Sequence, residues 1–367
     1  MFNPLRLTLA RQRRGMKKRD LAKQIGLTEK SVSNYELGLQ EPENLTLKKL
    51  SDILRFPEDF FYGDDPEFLT PDIASFRSMS KMTASQRDTA LGAGGIALLL
   101  NDWIESRFQL PEPNVPNLGR ENSIEASEEA AEMLRVQWGI GVLPIKNMIA
   151  LLESKGIRVF SLAIDAKEVD AFSMWKAGRP YIFLNTCKSA ERCRFDAAHE
   201  LGHLVIHQHA QSHSPNAERE ANAFASAFLM PESSVKSIVP KFMTLPGLIR
   251  YKKYWSVSAS ALNYRLHALK LTSDWHFRTL CIQLAKAGYN SKEPEGIIPE
   301  KSLVLEKVFT ALRKEGVSKS DVAKQLSVLP DEINELTFGL MLNVLKGGRS
   351  LSDSPKAGGG LLRLVKG

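Results

Sequence analysis

The segment His199-Glu200-Leu201-Gly202-His203 places two histidines four residues apart. On a helix this spacing puts both side chains on one face, so the two imidazoles can share one cation. Zinc prefers such ligands, and it lowers the pKa of a bound water toward ~7, which makes that water a nucleophile. A carboxylate beside the pair can take the proton of the water and pass it to a leaving amine. The pattern therefore predicts a zinc-dependent peptidase site with His199 and His203 as ligands and Glu200 as the general base.

The neighbouring residues fit a buried helix that packs closely against another element. Ala197, Ala198 and Gly202 leave room for close approach, and residues 204–206 supply an apolar side. Because H-E-x-x-H also arises by chance, these surroundings are what favours a functional site over an accidental match.

A catalytic zinc takes a third protein ligand and leaves its fourth position to water. We favour Glu218, which lies at the start of a second predicted helix over 217–230. Asn222 shares its face of the helix and could hold a zinc-bound imidazole from behind. Glu220 points to a different face of this helix and is a lesser alternative.

His209 is the rival third ligand. It follows His199 by ten residues, the spacing of the H-E-x-x-H-x-x-G-x-x-H enzymes, but Ile206 stands where that motif has its helix-ending glycine. A helix that continues through Ile206 would carry His209 away from the metal. His207, one turn after His203, is expected to have a structural role or to support a ligand.

A small three-stranded sheet is expected just before these helices. Runs typical of strands lie at 158–164, 171–175 and 181–185, and Ala177-Gly178 between the last two fits a hairpin turn. The other predicted elements are helices, at 123–138, 145–155 and 195–209. The fold class is therefore α+β and mostly helical.

Composition limits the class of protein. The 367 residues are 43% hydrophobic and 25% charged, which suits two or three domains. The longest apolar stretch is too short to span a bilayer, and the N-terminus lacks the apolar segment of a signal peptide, so we expect a cytoplasmic protein with no membrane partner. Three cysteines without a C-x-x-C pair predict neither a disulfide framework nor a thiolate zinc site.

Positive charge is concentrated near the N-terminus, where residues 1–40 hold nine Lys/Arg against three Asp/Glu. There, 18–25 and 29–37 are predicted helices joined by a tight turn, the layout of a helix-turn-helix. Thr28 can cap the second helix, whose first turns would present polar side chains to a major groove. The predicted base contacts are Lys30, Ser31, Ser33 and Asn34. The predicted phosphate contacts, which make binding depend on salt, are Arg14, Lys17 and Lys18, together with Arg11, Arg13 and Arg19.

This segment resembles the XRE (phage repressor-like) family, with Val32-Ser-Asn-Tyr-Glu-Leu-Gly-Leu-Gln-Glu-Pro42 standing where such proteins close their recognition helix. The resemblance covers 4–63 and implies a five-helix domain that binds a double-stranded DNA operator. A palindromic operator would match a homodimer, which we expect. The alternative is a protein-interaction domain with a solvated basic face.

A weak internal repeat links the two ends of the chain. When the N-terminal and C-terminal segments are aligned without gaps, identical or similar residues recur at seven positions. The pairs are Gly15 and Gly316, Asp20 and Asp321, Ala22 and Ala323, Gln24 and Gln325, Val32 and Ile333, Gly38 and Gly339, and Leu39 and Leu340. Where the first copy has Thr28-Glu-Lys-Ser31, the second has Leu329-Pro-Asp-Glu332. Because acidic side chains there would face phosphates, we expect the second copy to pack rather than to read DNA.

The metal-site region resembles the ImmA/IrrE family of metallopeptidases. The resemblance rests on Phe195-Asp-Ala-Ala-His-Glu-Leu-Gly-His-Leu-Val-Ile-His207 and Glu218-Arg-Glu-Ala-Asn-Ala-Phe-Ala-Ser-Ala-Phe-Leu-Met-Pro231, and extends less tightly over 73–271. It implies a zincin-like domain that cleaves a partner protein, typically a repressor. Many relatives begin with an XRE domain, but in the simplest arrangement peptidase and repressor are separate chains. The fusion therefore leaves the target open between a partner, a second copy of this chain, and nothing.

Five regions follow from these patterns: 1–64, the helix-turn-helix domain; 65–117, a connecting segment; 118–236, the peptidase domain; 237–346, a helical region with the repeat; and 347–367, a disordered tail. The leading hypothesis is a DNA-binding regulator whose zinc- or manganese-dependent endopeptidase cleaves a protein partner, a repressor. The alternative is a repressor or antitoxin whose core binds zinc without hydrolysing peptides. A structural protein with neither function would require both motifs to be accidental. For substrate binding, we expect an exposed sheet edge at 171–175, where a chain could add as a strand.

Overall fold

The computed structural model describes residues 1–67, 69, 83–119, 123–162, 171–207 and 215–341, together with the backbone of 75–76 and 363–364. Helices dominate the described residues, and the predicted α+β, mostly helical class is confirmed. The helices are α1 Pro4–Arg13, α2 Lys18–Ile25, α3 Glu29–Glu36, α4 Asn44–Leu54, a 3-10 helix Glu58–Tyr62, α5 Ala84–Glu105, α6 Ile124–Gln137, α7 Met148–Ser154, α8 Ala190–Ile206, α9 Pro215–Leu229, α10 Glu232–Ile238, α11 Leu245–Trp255, α12 Ala259–Ala268, α13 Asp274–Lys286, α14 Leu303–Lys314, α15 Lys319–Gln325 and α16 Pro330–Thr337. The strands are β1 Ser75–Phe76, β2 Phe108–Gln109, β3 Arg158–Ser161, β4 Ala171–Lys176, β5 Arg179–Leu184 and β6 Arg363–Leu364.

The N-terminal domain has the predicted five helical elements, of which the last is a 3-10 helix. The tight turn between α2 and α3 depends on Gly26, whose φ of 75° lies in the left-handed region that favours glycine. Thr28 caps α3 as predicted, because its side chain accepts from the backbone N–H of Ser31. A buried ion pair between Arg11 and Glu36, with a shortest N–O distance of 2.5 Å, ties α1 to the end of α3.

The predicted connecting segment contains a long buried helix, α5, and the N-terminal domain packs directly against it. At Gly92 a Cβ would come within 2.6 Å of the Arg13 backbone, and at Gly95 it would come within 2.7 Å of Leu9. These glycines let α1 lie unusually close to α5. The N-terminal domain is therefore attached to the remainder of the described protein by packing as well as by the chain.

The sheet contains the three predicted strands and one more. Its order is β1-β4-β5-β3; β4 pairs antiparallel with β5 across the turn at Ala177-Gly178, and β3 pairs parallel with β5. The expectation of an exposed edge at 171–175 is wrong for part of this range. Residues 75–76 of β1 pair with Phe172 and Ser173 on the outer side of β4. A two-residue strand is too short to show a periodic pattern, so β1 was not predicted.

The C-terminal helices reproduce the N-terminal pattern. In the alignment that pairs Gly15 with Gly316, the first residues of α15 and α16 fall opposite those of α2 and α3. Both of these glycines have positive φ, 60° and 78°. The second copy packs within the molecule, as predicted, because Glu332 at the start of α16 is buried against Arg13 and Arg14.

The predicted disordered tail lies outside the described residues, apart from the backbone of 363–364, which pairs with β2. Among the helices that the structure describes, none combines the length and the apolar character needed to cross a bilayer.

Candidate metal centre and DNA-binding surface

Two adjacent helices carry the predicted metal ligands. His199, Glu200 and His203 lie in the second half of α8, and Glu218 lies in the first turn of α9. The helices approach closely because position 202 is glycine, where a Cβ would lie 3.1 Å from the ring of Phe224. This close packing brings the start of α9 over the histidines of α8.

The three predicted ligands converge on one point. The Nε2 atoms of His199 and His203 are 3.1 Å apart. The Glu218 carboxylate oxygens lie 3.4 Å from the Nε2 of His199 and 3.3 Å from that of His203. Both histidine side chains are buried, whereas that of Glu218 is 21% exposed, so the cluster meets solvent on the Glu218 side.

Hydrogen bonds behind the imidazoles test whether this cluster fits a cation. Asn222 donates through Nδ2 to the carbonyl of Glu218 at 2.8 Å, so its Oδ1 faces His199 Nδ1, 3.2 Å away, and must accept there. His199 therefore carries its proton on Nδ1 and turns the lone pair of Nε2 toward a carboxylate. Two acceptors that face each other repel unless a cation lies between them, so the residues fit a bound metal.

Glu218 is suited to this role by its charge state. Burial by itself raises the pKa of the Glu218 carboxyl. When no cation lies between the carboxylate and the two imidazoles, protons on His199 and His203 take its place, and their hydrogen bonds and charge outweigh burial and lower the pKa to about 2. The side chain is therefore a carboxylate at neutral pH, the form that binds metal.

Glu200 is buried, and a hydrogen bond fixes its carboxylate. The hydroxyl of Ser173, on β4, donates to Glu200 Oε2 at 2.7 Å. Trp175, two residues further along the strand, donates from its indole N–H to the carbonyl of Leu204 at 3.2 Å. These two contacts hold α8 against β4 at the residues that follow His199 and His203 in the chain.

His207 and Glu220, the other candidates that the structure describes, contact each other outside the cluster of His199, His203 and Glu218. His207 follows the end of α8 and contacts His203 through their Nδ1 atoms, 3.0 Å apart. Glu220 lies 2.8 Å from His207 Nε2, so its carboxylate faces His207 rather than the ligand cluster. Burial lowers the pKa of His207, which keeps its imidazole neutral at pH 7. His209 lies outside the described residues.

Two contacts near the site were not predicted from the sequence, that of Ser173 with Glu200 and that of Glu220 with His207. Ser173 is far from Glu200 in the chain, and only the packing of α8 on β4 brings them together. Glu220 was considered as a ligand, but not as a partner of His207. The local pattern could not separate these roles, because Glu218 and Glu220 both lie in the first turns of α9.

The predicted base contacts lie on or beside the free surface of α3. Lys30 is exposed, while Ser31, Ser33 and Asn34 are partly exposed. The hydroxyl of Ser31 lies 2.9 Å from that of Thr28, the residue that caps α3, so the Ser31 hydroxyl already has a hydrogen-bond partner within the protein.

The predicted phosphate contacts differ in their exposure and in the partners they have within the protein. Lys17 is exposed, and Lys18 is partly exposed with its ammonium 3.1 Å from Glu36. Arg14 bonds to the carbonyl of Leu54 at 2.7 Å and to Glu332 at 2.7 Å. Because its guanidinium has these partners within the protein, Arg14 is poorly placed for a phosphate. Arg11 and Arg13 are buried in ion pairs, whereas Arg19 is exposed.

Two protein-family models match segments of the chain. Residues 7–61 match the family model described as Helix-turn-helix, and residues 152–267 match the one described as IrrE N-terminal-like domain. The chain joins an XRE-type helix-turn-helix domain to an IrrE-like peptidase-family domain. No curated protein matches the chain. The IrrE-like match includes all three residues of the metal-ligand cluster and ends within α12, beyond the predicted domain end at 236.

Helices α11 and α12 are attached to the IrrE-like domain by buried polar contacts. Arg265 of α12 donates from Nε to the carbonyl of Met230 at 3.0 Å and pairs with Glu128 of α6 at 2.8 Å. Lys252 of α11 is fully buried and pairs with Glu191 at the start of α8, 3.2 Å away. The domain thus packs with helices beyond residue 236.

Proposed function

We propose that the protein is a DNA-binding regulator whose IrrE-like domain is a zinc-dependent endopeptidase that cleaves a protein partner, a repressor. The observation that carries the proposal is the convergence of His199, His203 and Glu218 around one point, with Glu200 next in the chain to a ligand. Two imidazoles and one carboxylate are the ligand set of a catalytic zinc with an open position for water. Manganese is the alternative metal.

The residues of the site divide the chemistry between them. A bound zinc would supply Lewis acidity and lower the pKa of a water at the open position. Glu200 accepts the proton of the attacking water and returns it to the nitrogen of the leaving amine. Ser173 holds the Glu200 carboxylate in place through the 2.7 Å hydrogen bond. Asn222 holds the ring of His199 through Nδ1, so that its Nε2 faces the metal.

The DNA-binding half of the proposal rests on α3. Its exposed Lys30 and the partly exposed side chains around it form a polar surface that can enter a major groove. We expect the operator to be palindromic and the active species to be a homodimer, which sedimentation of the purified protein would test. In this proposal proteolysis of the partner changes the transcription of a nearby operon.

The first experiment measures metal content by mass spectrometry after purification. We expect close to one zinc per wild-type chain, and loss of this zinc in Glu218→Ala, because two imidazoles alone hold the metal weakly. Glu232→Ala, which removes a partly exposed glutamate on the next helix, is the matched control and should keep its zinc. Wild type that is folded but free of zinc and manganese would contradict the proposal.

A second variant separates metal binding from hydrolysis. Glu200→Gln removes the base but none of the ligands, so it should keep zinc and DNA binding and lose the ability to cut a mixed peptide library. Cleavage is read as new peptide termini by mass spectrometry. If wild type and Glu200→Gln both leave the library and the cell's protein partners intact, the peptidase half fails and the chain is a zinc-binding repressor or antitoxin.

A further inference from the structure

The two histidine ligands differ in what lies behind them. His199 is backed by a neutral amide, since its Nδ1 lies 3.2 Å from Asn222 Oδ1. His203 is backed by a second imidazole, since its Nδ1 lies 3.0 Å from His207 Nδ1, and His207 in turn lies 2.8 Å from Glu220. A carboxylate therefore reaches His203 through an intervening ring.

Hydrogen-bond chemistry fixes the direction of this chain. A carboxylate only accepts, so His207 donates from Nε2 to Glu220 Oε2. In the neutral ring the other nitrogen, Nδ1, is then an acceptor, and it accepts from Nδ1 of His203. His203 consequently keeps the lone pair of Nε2 on the side of His199 and Glu218. That tautomer is the one able to bind a metal.

The contact between His207 and Glu220 is buried. The side chains of His207 and Glu220 are 3% and 7% exposed. A buried carboxylate is costly unless it is hydrogen-bonded and its charge compensated. A dication beyond His203 would provide that compensation, while the carboxylate increases the electron density on the ligand nitrogen.

We propose that Glu220 is a positioning residue for the metal centre, acting through His207 to hold His203 in its metal-binding tautomer and to strengthen it as a ligand. The inference rests on the proposed zinc site. It assigns Glu220 a role other than that of a ligand, and it gives His207 the middle position in a chain of Glu220, His207 and His203.

The test measures zinc affinity and imidazole protonation, neither of which requires a substrate. Zinc dissociation constants are obtained by competition with a chromogenic chelator for wild type, Glu220→Gln and Glu220→Ala. Loss of a partner behind a metal-binding histidine weakens affinity by about 10–100-fold, and we expect Glu220→Ala in this range. Glu220→Gln keeps an acceptor oxygen but not the charge, so it should fall between wild type and Glu220→Ala.

Nitrogen-15 NMR of labelled histidines distinguishes positioning from a merely structural role. In zinc-loaded wild type we expect His207 to carry its proton on Nε2 and His203 on Nδ1, and in Glu220→Ala we expect a mixture of His207 tautomers. Asn222→Ala is the matched control, since it disturbs His199 and should leave the His207 signals unchanged.

The outcomes separate this inference from the proposed function. If wild type binds zinc and both Glu220 variants bind it equally well with unchanged His207 signals, the inference is wrong and the metal site stands. If wild type binds no zinc, the proposed function has failed first. Should Glu220→Ala not fold, the affinity and spectrum of Glu220→Gln decide the question.

Discussion

The two copies of the helix-turn-helix pattern show how one arrangement of helices can serve opposite purposes. In the first copy Lys30 is exposed on α3, and in the second the corresponding residue of α16 is Asp331. Ser31 of the first copy corresponds to Glu332, which is buried against Arg13 and Arg14. The polar surface that faces solvent in one copy is thus an acidic contact with the basic residues of the other.

Their buried polar contacts differ as well. In the first copy, Arg11 and Glu36 form a buried ion pair between the first and third helices. The corresponding residues of the second copy are Leu312 and Thr337, both buried, with the Thr337 hydroxyl bonded to the carbonyl of Ile333 at 2.8 Å. The same helix packing is therefore compatible with an ion pair or with an apolar residue and a hydroxyl, as expected when a buried pair contributes little net stability.

The largest effect should come from breaking the contact between the copies. Glu332→Ala leaves Arg13, whose side chain is 5% exposed, with a buried charge that Glu335 only partly compensates. Removing one partner of a buried pair costs about 3–5 kcal/mol, so we expect a loss of unfolding free energy of this size in chemical denaturation. Asp331→Ala is the control, because its pair with Arg55 is exposed and is worth about 0–1 kcal/mol. Equal losses in the two variants would show that the contact does not depend on the buried charge.

The first helices of the two copies, α1 and α14, have different N-terminal caps, and we expect only the cap of α14 to make the unfolding free energy depend on pH. Asn3, a neutral side chain, caps α1. The N-terminus of α14 is capped by Ser302 and by Glu153 of α7, which accepts from the N–H groups of Leu303 and Val304. Burial raises the pKa of the Glu153 carboxyl to about 7, above its ordinary value of 4.5.

A folded-state pKa above the unfolded value means that the native state holds a proton that the unfolded chain has lost. The contribution of Glu153 to stability is therefore complete below pH 4.5 and is lost as the pH rises through about 7. Relative to Glu153→Gln, wild type should lose up to about 3 kcal/mol over this window. Unfolding free energies at several pH values give the difference directly. Asn3→Ala should cost about 1 kcal/mol throughout this window, because no titrating group is removed.

The smallest effect concerns DNA. Lys30→Ala removes an exposed cation from α3. On a mixed-sequence duplex Lys30 has no specific base to contact and meets phosphates instead, so the dependence of DNA affinity on salt should weaken by a slope of about 0.9. Binding of a mixed-sequence duplex is measured by fluorescence anisotropy at several salt concentrations. Asp331→Ala, the same position in the second copy, should leave the affinity and its slope unchanged. A stronger effect at Asp331 than at Lys30 would mean that the two copies have been assigned the wrong roles.

The sequence predicted those features that depend on residues near one another in the chain. The helices α2 and α3, the Thr28 cap and the hairpin at Ala177-Gly178 all follow from local periodicity and turn chemistry. The pairing of His199 with His203 follows from helical spacing alone.

Features that depend on packing between distant elements were not predictable. Glu218 and Glu220 have equivalent local surroundings, and only the way α9 lies on α8 turns one toward the histidine nitrogens and the other toward His207. The glycines at 92 and 95 look like helix-weakening residues until α1 is seen packed against them. The residues of β1 have no pattern, and the edge of β4 was therefore expected to be free.

The contact between Arg13 and Glu332 joins the first helix of the chain to the last described one, with the two charged atoms 2.7 Å apart. The outer helices of a domain usually fray, and their amide protons exchange with solvent long before the core opens. Here α1 and α16 are joined by a buried ion pair, so neither can detach without leaving the charge on the other without its partner. The amides of α1 and α16 should then exchange together, at a rate set by the opening of the whole molecule rather than by its ends.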